Sequence, residues 1–201
     1  MRLINVFKSG AVTLALIMCI TALCACGKQE TKTDETASQQ PQKVLVTMEN
    51  GGEFIIETAP QYAPETCANF INLVNEGFYT GLTFHRVIDN FVAQGGDPNG
   101  NGTGGSGKNI KGEFSANGFE QNTLSHTRGV VSMARRGGDM DSATSQFFIC
   151  YDNVTSLDGE YAAFGKVIEG MEVVDEFLKI TRDQNGMPET PIVIKEMKVM
   201  E

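Results

Sequence analysis

Short runs of alternating apolar and polar residues, spread over 43–201, constrain this chain more than any other feature. Alternation at period two sends successive side chains to opposite faces of a sheet. The first two runs, "KVLVTMEN" and "GEFIIET", flank Gly51 and Gly52 and predict a β-hairpin. Further runs fall at 82–88, 91–94, 128–133, 146–150 and 161–168, and "PIVIKEMKVME" is a last strand. Only two segments change to helical spacing. In "APETCANFINLVNEG", Pro64 suits the first turn, Cys67, Phe70, Ile71 and Val74 share a face, and Gly77 ends the helix. The second runs from Met171 to Leu178, with Met171, Val174, Phe177 and Leu178 on its apolar side. Many short strands around two helices predict a closed antiparallel sheet whose ends the helices cover, an arrangement that hides its edges.

The N-terminal part follows different rules. Arg2 and Lys8 precede Ala11–Ala25, an uncharged apolar run of signal-peptide length, shorter than the ~20 residues of a spanning helix. It ends in "LCACGKQE", where Leu23, Ala25 and Cys26 resemble a bacterial lipobox. That resemblance implies a signal peptide at 1–25, cleavage before Cys26, and diacylglycerol on the Cys26 sulfur. Cleavage before Cys24 would put Thr21 where the pattern wants leucine, so Cys26 is the expected site. Residues 26–42 are then the lipidated cysteine and a tether. "GKQETKTDETASQQPQ" has no large apolar residue with which to offset its ordering entropy. The expected location is extracytoplasmic, on a bacterial membrane, with the folded domain at 43–201. Its remaining cysteines, Cys67 and Cys150, lie among apolar neighbours and are expected to be buried free thiols.

Composition narrows the partners. The net charge is −9, and two of the 16 basic residues lie in the leader, so nucleic acid and anionic lipid would both be repelled. The loop "GGDPNGNGTGGSGKN" contains G-x-G-x-x-G at Gly100, Gly102 and Gly105, and nearly a P-loop ending in Lys108. A phosphate loop needs a helix leaving it, yet Asn109 replaces the required Ser or Thr and "NIKGEFSANGF" is a poor helix. No nucleotide site is expected. His85 and His126 show no metal-ligand spacing, so no metal is expected, and no serine or cysteine has an evident positioned base. His126 reads as the end of a loop.

Four blocks, "FHRVIDNFVAQGGD", "GVVSMAR", "SQFFIC" and "LDGEYAAFGKVIEGMEVVD", resemble in order and combination the cyclophilins, the peptidyl-prolyl cis–trans isomerases. The resemblance covers essentially all of 43–201. It implies a mainly-β fold, a closed eight-stranded antiparallel β-barrel capped by two α-helices, working on X–Pro peptides without a cofactor. It implies that Arg86 is the catalytic arginine and Gln94 the glutamine that orients it. Phe91 and Phe148 would wall the prolyl ring, with Val92, Met133 and Leu157 as further apolar walls. Ala134 and Arg135 match the segment that pairs with the residues before proline. Gln146 would line the pocket, and Tyr161 stands where some members have histidine. Ser156 stands where many members carry tryptophan, and the chain has no tryptophan.

The residues themselves add constraints. Phe147 and Phe148 must face opposite ways on one strand, one to the core and one to the pocket. Strict alternation puts Phe91 and Gln94 on opposite faces, so the backbone must bend or bulge between them if both line one pocket. His85 reads as structural, hydrogen-bonded beneath the site. Arg135–Arg136 reads as a solvated pair, neutralised by Asp139 and Asp141. Two functions compete: a monomeric, tethered isomerase, and a proline-peptide holdase with incidental catalysis. Arg86 favours the first, because binding a planar ground state does not need that donor.

Overall fold

The hairpin forms as expected. Strands β1 (Lys43–Met48) and β2 (Glu53–Thr58) pair antiparallel, and both bury every second residue. Val44, Val46 and Met48 on β1, with Phe54 and Ile56 on β2, enter the core. The computed structural model describes residues 40–201. The expected signal peptide, Cys26 and most of the tether lie outside the described residues. Pairing begins one residue before the expected boundary: Gln42 donates its N–H to the Thr58 hydroxyl at 2.9 Å and accepts from the Thr58 N–H.

The remaining strands are β3 (Thr83–Val87), β4 (Val92–Asp97), β5 (Val130–Met133), β6 (Phe147–Cys150), β7 (Ala163–Glu169) and β8 (Ile194–Val199). They form one eight-stranded sheet in the order β3-β4-β6-β5-β7-β2-β1-β8, with antiparallel pairing throughout. Its two ends meet. The Gly81 N–H donates to Ile194 O, the Ile194 N–H to Leu82 O, and the Phe84 N–H to Ile192 O, all within 3.0 Å. These bonds close the barrel and use the backbone groups an open edge would expose.

Helix α1 (Pro64–Asn75) starts at Pro64, where a missing N–H costs nothing. Ala63 offers no side-chain cap, and a distant loop supplies one instead: the Glu113 carboxylate accepts from the Glu65 and Thr66 N–H groups at 3.0 and 2.7 Å. At the other end Gly77 adopts φ +69°; its N–H donates to Val74 O and that of Phe78 to Leu73 O, a Schellman closure. Helix α2 (Met171–Glu176) continues as a single 3-10 turn, Phe177–Lys179. A file of aromatic rings joins the helices through the barrel: Phe70 meets Phe147, Phe147 meets Phe84, and Phe84 meets Phe177, at centroid separations of 5.7, 5.8 and 5.0 Å. Each of these buried rings stabilises the fold by about 1.5–3 kcal/mol. Cys67 and Cys150 are free and buried, as expected, and burial pushes both thiols up to about 12.

Candidate active site

Directly opposed residues on neighbouring strands share a face of the sheet. Arg86 opposes Gln94, Gln94 opposes Phe148, and Phe148 opposes Ser132, which draws one transverse row across β3-β4-β6-β5. The adjacent row, Phe84, Gly95, Phe147 and Met133, faces the barrel core. Gly95 eases the packing there, since a Cβ would stand 3.0 Å from the Phe84 ring and from Thr83 O and make its neighbours give by a few tenths of an ångström. Phe147 and Phe148 therefore divide between core and outer face.

The outer face carries a cleft of about 250 Å³ lined by Arg86, Phe91, Val92, Gln94, Ala134, Arg135, Phe148, Leu157 and Tyr161. The Arg86 guanidinium carbon sits 5.6 Å from the Phe91 ring centre, and its Nη1 donates to Gln94 Oε1 at 3.5 Å. Among the described residues no carboxylate forms an ion pair with Arg86. Phe148 meets Tyr161 edge-on at 5.8 Å. Leu157 comes from a 3-10 turn, Thr155–Leu157, and Ser156 beside it is exposed.

The expected bend is present, at Phe91 itself, and both Phe91 and Gln94 line the cleft. Residues 92–94 run regularly, and Phe91 precedes the strand in a turn, with Asn90 at φ 54° and the Phe91 N–H donating to Ile88 O. The β3–β4 pair also shifts register twice, between Thr83 and Phe84 and, by a bulge on β3, between Phe84 and Arg86. His85 is the extra residue of this bulge, which turns Phe84 and Val87 into the core and Arg86 towards Gln94.

Four further expectations need correction. Met133 is not a cleft wall: 1 % exposed and opposite Phe147, it packs in the barrel core. His85 is buried, yet neither ring nitrogen makes a hydrogen bond of ordinary geometry. Burial holds its pKa below the usual histidine value, outweighing the Asp97 carboxylate and the Thr83 backbone. Arg135 is not solvated, its side chain being only 10 % exposed. Its guanidinium packs between the rings of Phe114 and Tyr161, at 5.2 and 4.8 Å, and bonds Glu160 through both O and Oε2. Arg136 is the exposed member, paired with Asp139. Gln146 lines not the cleft but an adjoining cavity of about 630 Å³, which Gln94, Ala134 and Arg135 also border.

Comparison with known proteins agrees with this architecture. Residues 43–199 match the family described as cyclophilin type peptidyl-prolyl cis-trans isomerase/CLD. The chain belongs to that family. A peptidyl-prolyl cis-trans isomerase B of Bacillus subtilis is 49% identical over 125 residues, covering 62% of this chain and 82% of the relative. One from Helicobacter pylori is 46% identical over 129 residues, covering 63% and 75%. A peptidyl-prolyl cis-trans isomerase-like 2 from Gibberella zeae is 36% identical over 87% of this chain, which spans only 30% of that longer protein. A crystal structure of a Cryptosporidium parvum cyclophilin superposes with a TM-score of 0.72 at 32% identity, covering 81% of this chain and 99% of that one.

In this cyclophilin the first turns of the glycine-rich loop are gathered around a carboxylate. A phosphate cradle presents free N–H groups, whereas those of Asn99, Asn101 and Gly102 all donate to the buried Asp97 carboxylate. Burial would raise the Asp97 pKa, but these three bonds hold it below the usual carboxylate value. Gly104 allows the approach, because a Cβ there would collide with Asp97 Oδ1.

Sequence spacing also concealed a serine, histidine and aspartate in line. His126 Nδ1 lies 2.8 Å from Asp158 Oδ1, and His126 Nε2 lies 3.0 Å from Ser132 Oγ. Burial would raise the Asp158 pKa, but bonds from Ser125 and from the backbone and ring of His126 bring it below the usual value. Ionised Asp158 accepts from Nδ1–H, leaving Nε2 to accept from the Ser132 hydroxyl. Ser132 and His126 are 0 % and 1 % exposed, and neither lines the cleft, so this cyclophilin's serine is not placed to attack a substrate. The set is structural: the His126 ring stacks on Phe148 with 21° between planes, backing the wall of the cleft.

Proposed function

We propose that residues 43–201 accelerate rotation about X–Pro bonds by stabilising the twisted amide through Arg86. An X–Pro bond resists rotation because its nitrogen lone pair is delocalised into the carbonyl, giving a barrier of ~20 kcal/mol and exchange over tens of seconds. Cis and trans differ by only ~0.5–1 kcal/mol, so the catalyst need only favour the state between them. In that state the nitrogen is pyramidal and accepts a hydrogen bond that its planar form refuses. A fixed guanidinium beside the prolyl ring donates to the twisted form alone. Phe91, Val92, Phe148 and Leu157 supply the apolar hollow, and Gln94 orients the donor.

The observation that carries this reading is the place of Arg86 in the cleft, against Phe91 and Gln94, with no carboxylate partner among the described residues. The test is isomer exchange on an Ala-Pro-Phe peptide, followed by NMR or protease coupling, for the protein and its Arg86→Ala variant. We expect the variant to lose about a hundredfold or more of the rate. Equal rates would leave a proline-peptide binding module.

We propose further that the clients are exported proteins, met by a domain anchored through lipid at Cys26. The support is the uncharged run at 11–25, the lipobox-like Leu23, Ala25 and Cys26, and a polar linker able to hold the domain ~20–25 Å from a bilayer on average. Mass spectrometry of the mature N-terminus tests this. A start at Cys26 carrying diacylglycerol is expected; an unmodified Cys26 or another start removes the proposal.

A further inference from the structure

Gln146 stands immediately before β6, its backbone carbonyl accepting from the Ala134 N–H at 2.9 Å. Its side chain is fully engaged. Nε2 donates to Gly102 O at 3.1 Å and to Gly104 O at 2.8 Å, and Oε1 accepts from Gln94 Nε2 at 2.9 Å. Gln94 Oε1 in turn accepts from Arg86. A primary amide has a donor end and an acceptor end that differ little in shape, so its neighbours decide which way it points. Here the decision is made at the far end of the chain of bonds. Backbone carbonyls only accept, so Gly102 and Gly104 can face only the NH₂ of Gln146. That leaves the Gln146 oxygen facing Gln94, which must answer with its own NH₂. The Gln94 oxygen is thereby turned to the guanidinium, which only donates. Were the Gln94 amide reversed, its NH₂ would oppose the Arg86 donors and push them off line.

The glycine-rich loop thus acquires a role that its N–H groups do not have. Asp97 gathers it from within, and the loop presents two carbonyls outward to Gln146. We propose that Gln146 is a positioning residue: clamped by the Gly102 and Gly104 carbonyls, it sets the orientation of the Gln94 amide and through it the aim of Arg86. This rests on the isomerase reading above. Gln146 lies outside the prolyl cleft and its side chain is spent on Gly102, Gly104 and Gln94, so the relay acts on the barrier to rotation, and a loss through the hold on the peptide would appear separately in Kd.

The experiment is a double-mutant cycle in the full-length protein, with Gln94→Leu, Gln146→Leu, the double variant and Arg86→Ala. For each, NMR exchange on the Ala-Pro-Phe peptide gives the bound-state isomerisation rate, and titration of the same peptide gives Kd. Gln146→Leu should lower the rate about tenfold, as expected for a misaimed charged donor, and leave Kd within about twofold. The double variant should be no slower than Gln94→Leu alone, because both substitutions break one relay. Gln146→Met, closer in shape, should behave alike and serves if the leucine variant does not fold. Losses that multiply independently, or a weakened Kd that accounts for the whole loss, overturn the relay. If Arg86→Ala is slow while both Gln146 variants keep full speed, the relay falls and the isomerase reading stands. An Arg86→Ala protein as fast as wild type removes the reading itself.

Discussion

The guanidinium carbon of Arg86 lies 5.6 Å from the centre of the Phe91 ring, although the two residues reach the cleft from a strand and from a turn. The ring supports one side of a flat cation whose Nη1 reaches Gln94. Lysine would keep the charge and lose both the flat face and the fork of donors. Arg86→Lys is therefore expected to lower kcat/KM by about ten- to a hundredfold, and Phe91→Leu by about tenfold, in peptide exchange assays. Full activity in the lysine variant would mean that charge alone suffices.

The cap on α1 comes from a residue 48 positions away from one of its donors, and Glu113 is 3 % exposed. Glu113→Ala leaves two N–H groups without their acceptor. The expected cost is ~2 kcal/mol, a fall in Tm of about 4–8 °C for a domain of this size. Thermal unfolding followed by circular dichroism measures it, and an unchanged Tm would show that solvent caps the helix equally well.

Acid should destabilise the domain through its two histidines. Burial holds the pKa of both His85 and His126 below the usual value, so between that value and the native one the unfolded chain binds more protons. Stability then falls as pH drops below about 6.5, at up to ~1.4 kcal/mol per pH unit for each histidine. Asp97 and Asp158, whose native pKa values are depressed, add a further loss only at more acidic pH, as it falls through those values. Urea midpoints measured from roughly pH 8 to pH 5 should show this slope, reduced by about half in His85→Gln. An identical slope in that variant would exclude His85 as a contributor.

Leu157 lines the cleft while Ser156 next to it is exposed, which leaves a rim where an indole could lie over a bound peptide. Ser156→Trp should tighten binding of prolyl peptides about tenfold by the apolar area it covers. With no other tryptophan in the chain, its fluorescence reports the event directly. A signal that does not respond to peptide would place residue 156 away from the occupied cleft.

Local periodicity was enough for the hairpin, for α1 with its Pro64 and Gly77 boundaries, and for the opposite facing of Phe147 and Phe148. What it missed depends on register between strands. The resemblance alone put Met133 in the pocket, and its pairing with Phe147 puts it in the core; β4 continues through Gly95 and Gly96, which in a sequence read as the start of a loop. The bulge at His85 is an offset between two strands, invisible in either alone. Arg135 could not be told from its solvated neighbour Arg136, because the rings of Phe114 and Tyr161 come from separate parts of the chain. The Glu113 cap and the line of Ser132, His126 and Asp158 are likewise meetings of distant segments.

Because Arg86, Gln94, Phe148 and Ser132 are rungs on consecutive strands, their spacing is inherited from the backbone ladder, at ~4.8 Å per step. The gauge of this catalyst is thus a property of the sheet and not of any side chain. Mutation can retune its borders, at 135, 156 and the glycine-rich loop, but a broader gauge would require the barrel itself to gain a stave.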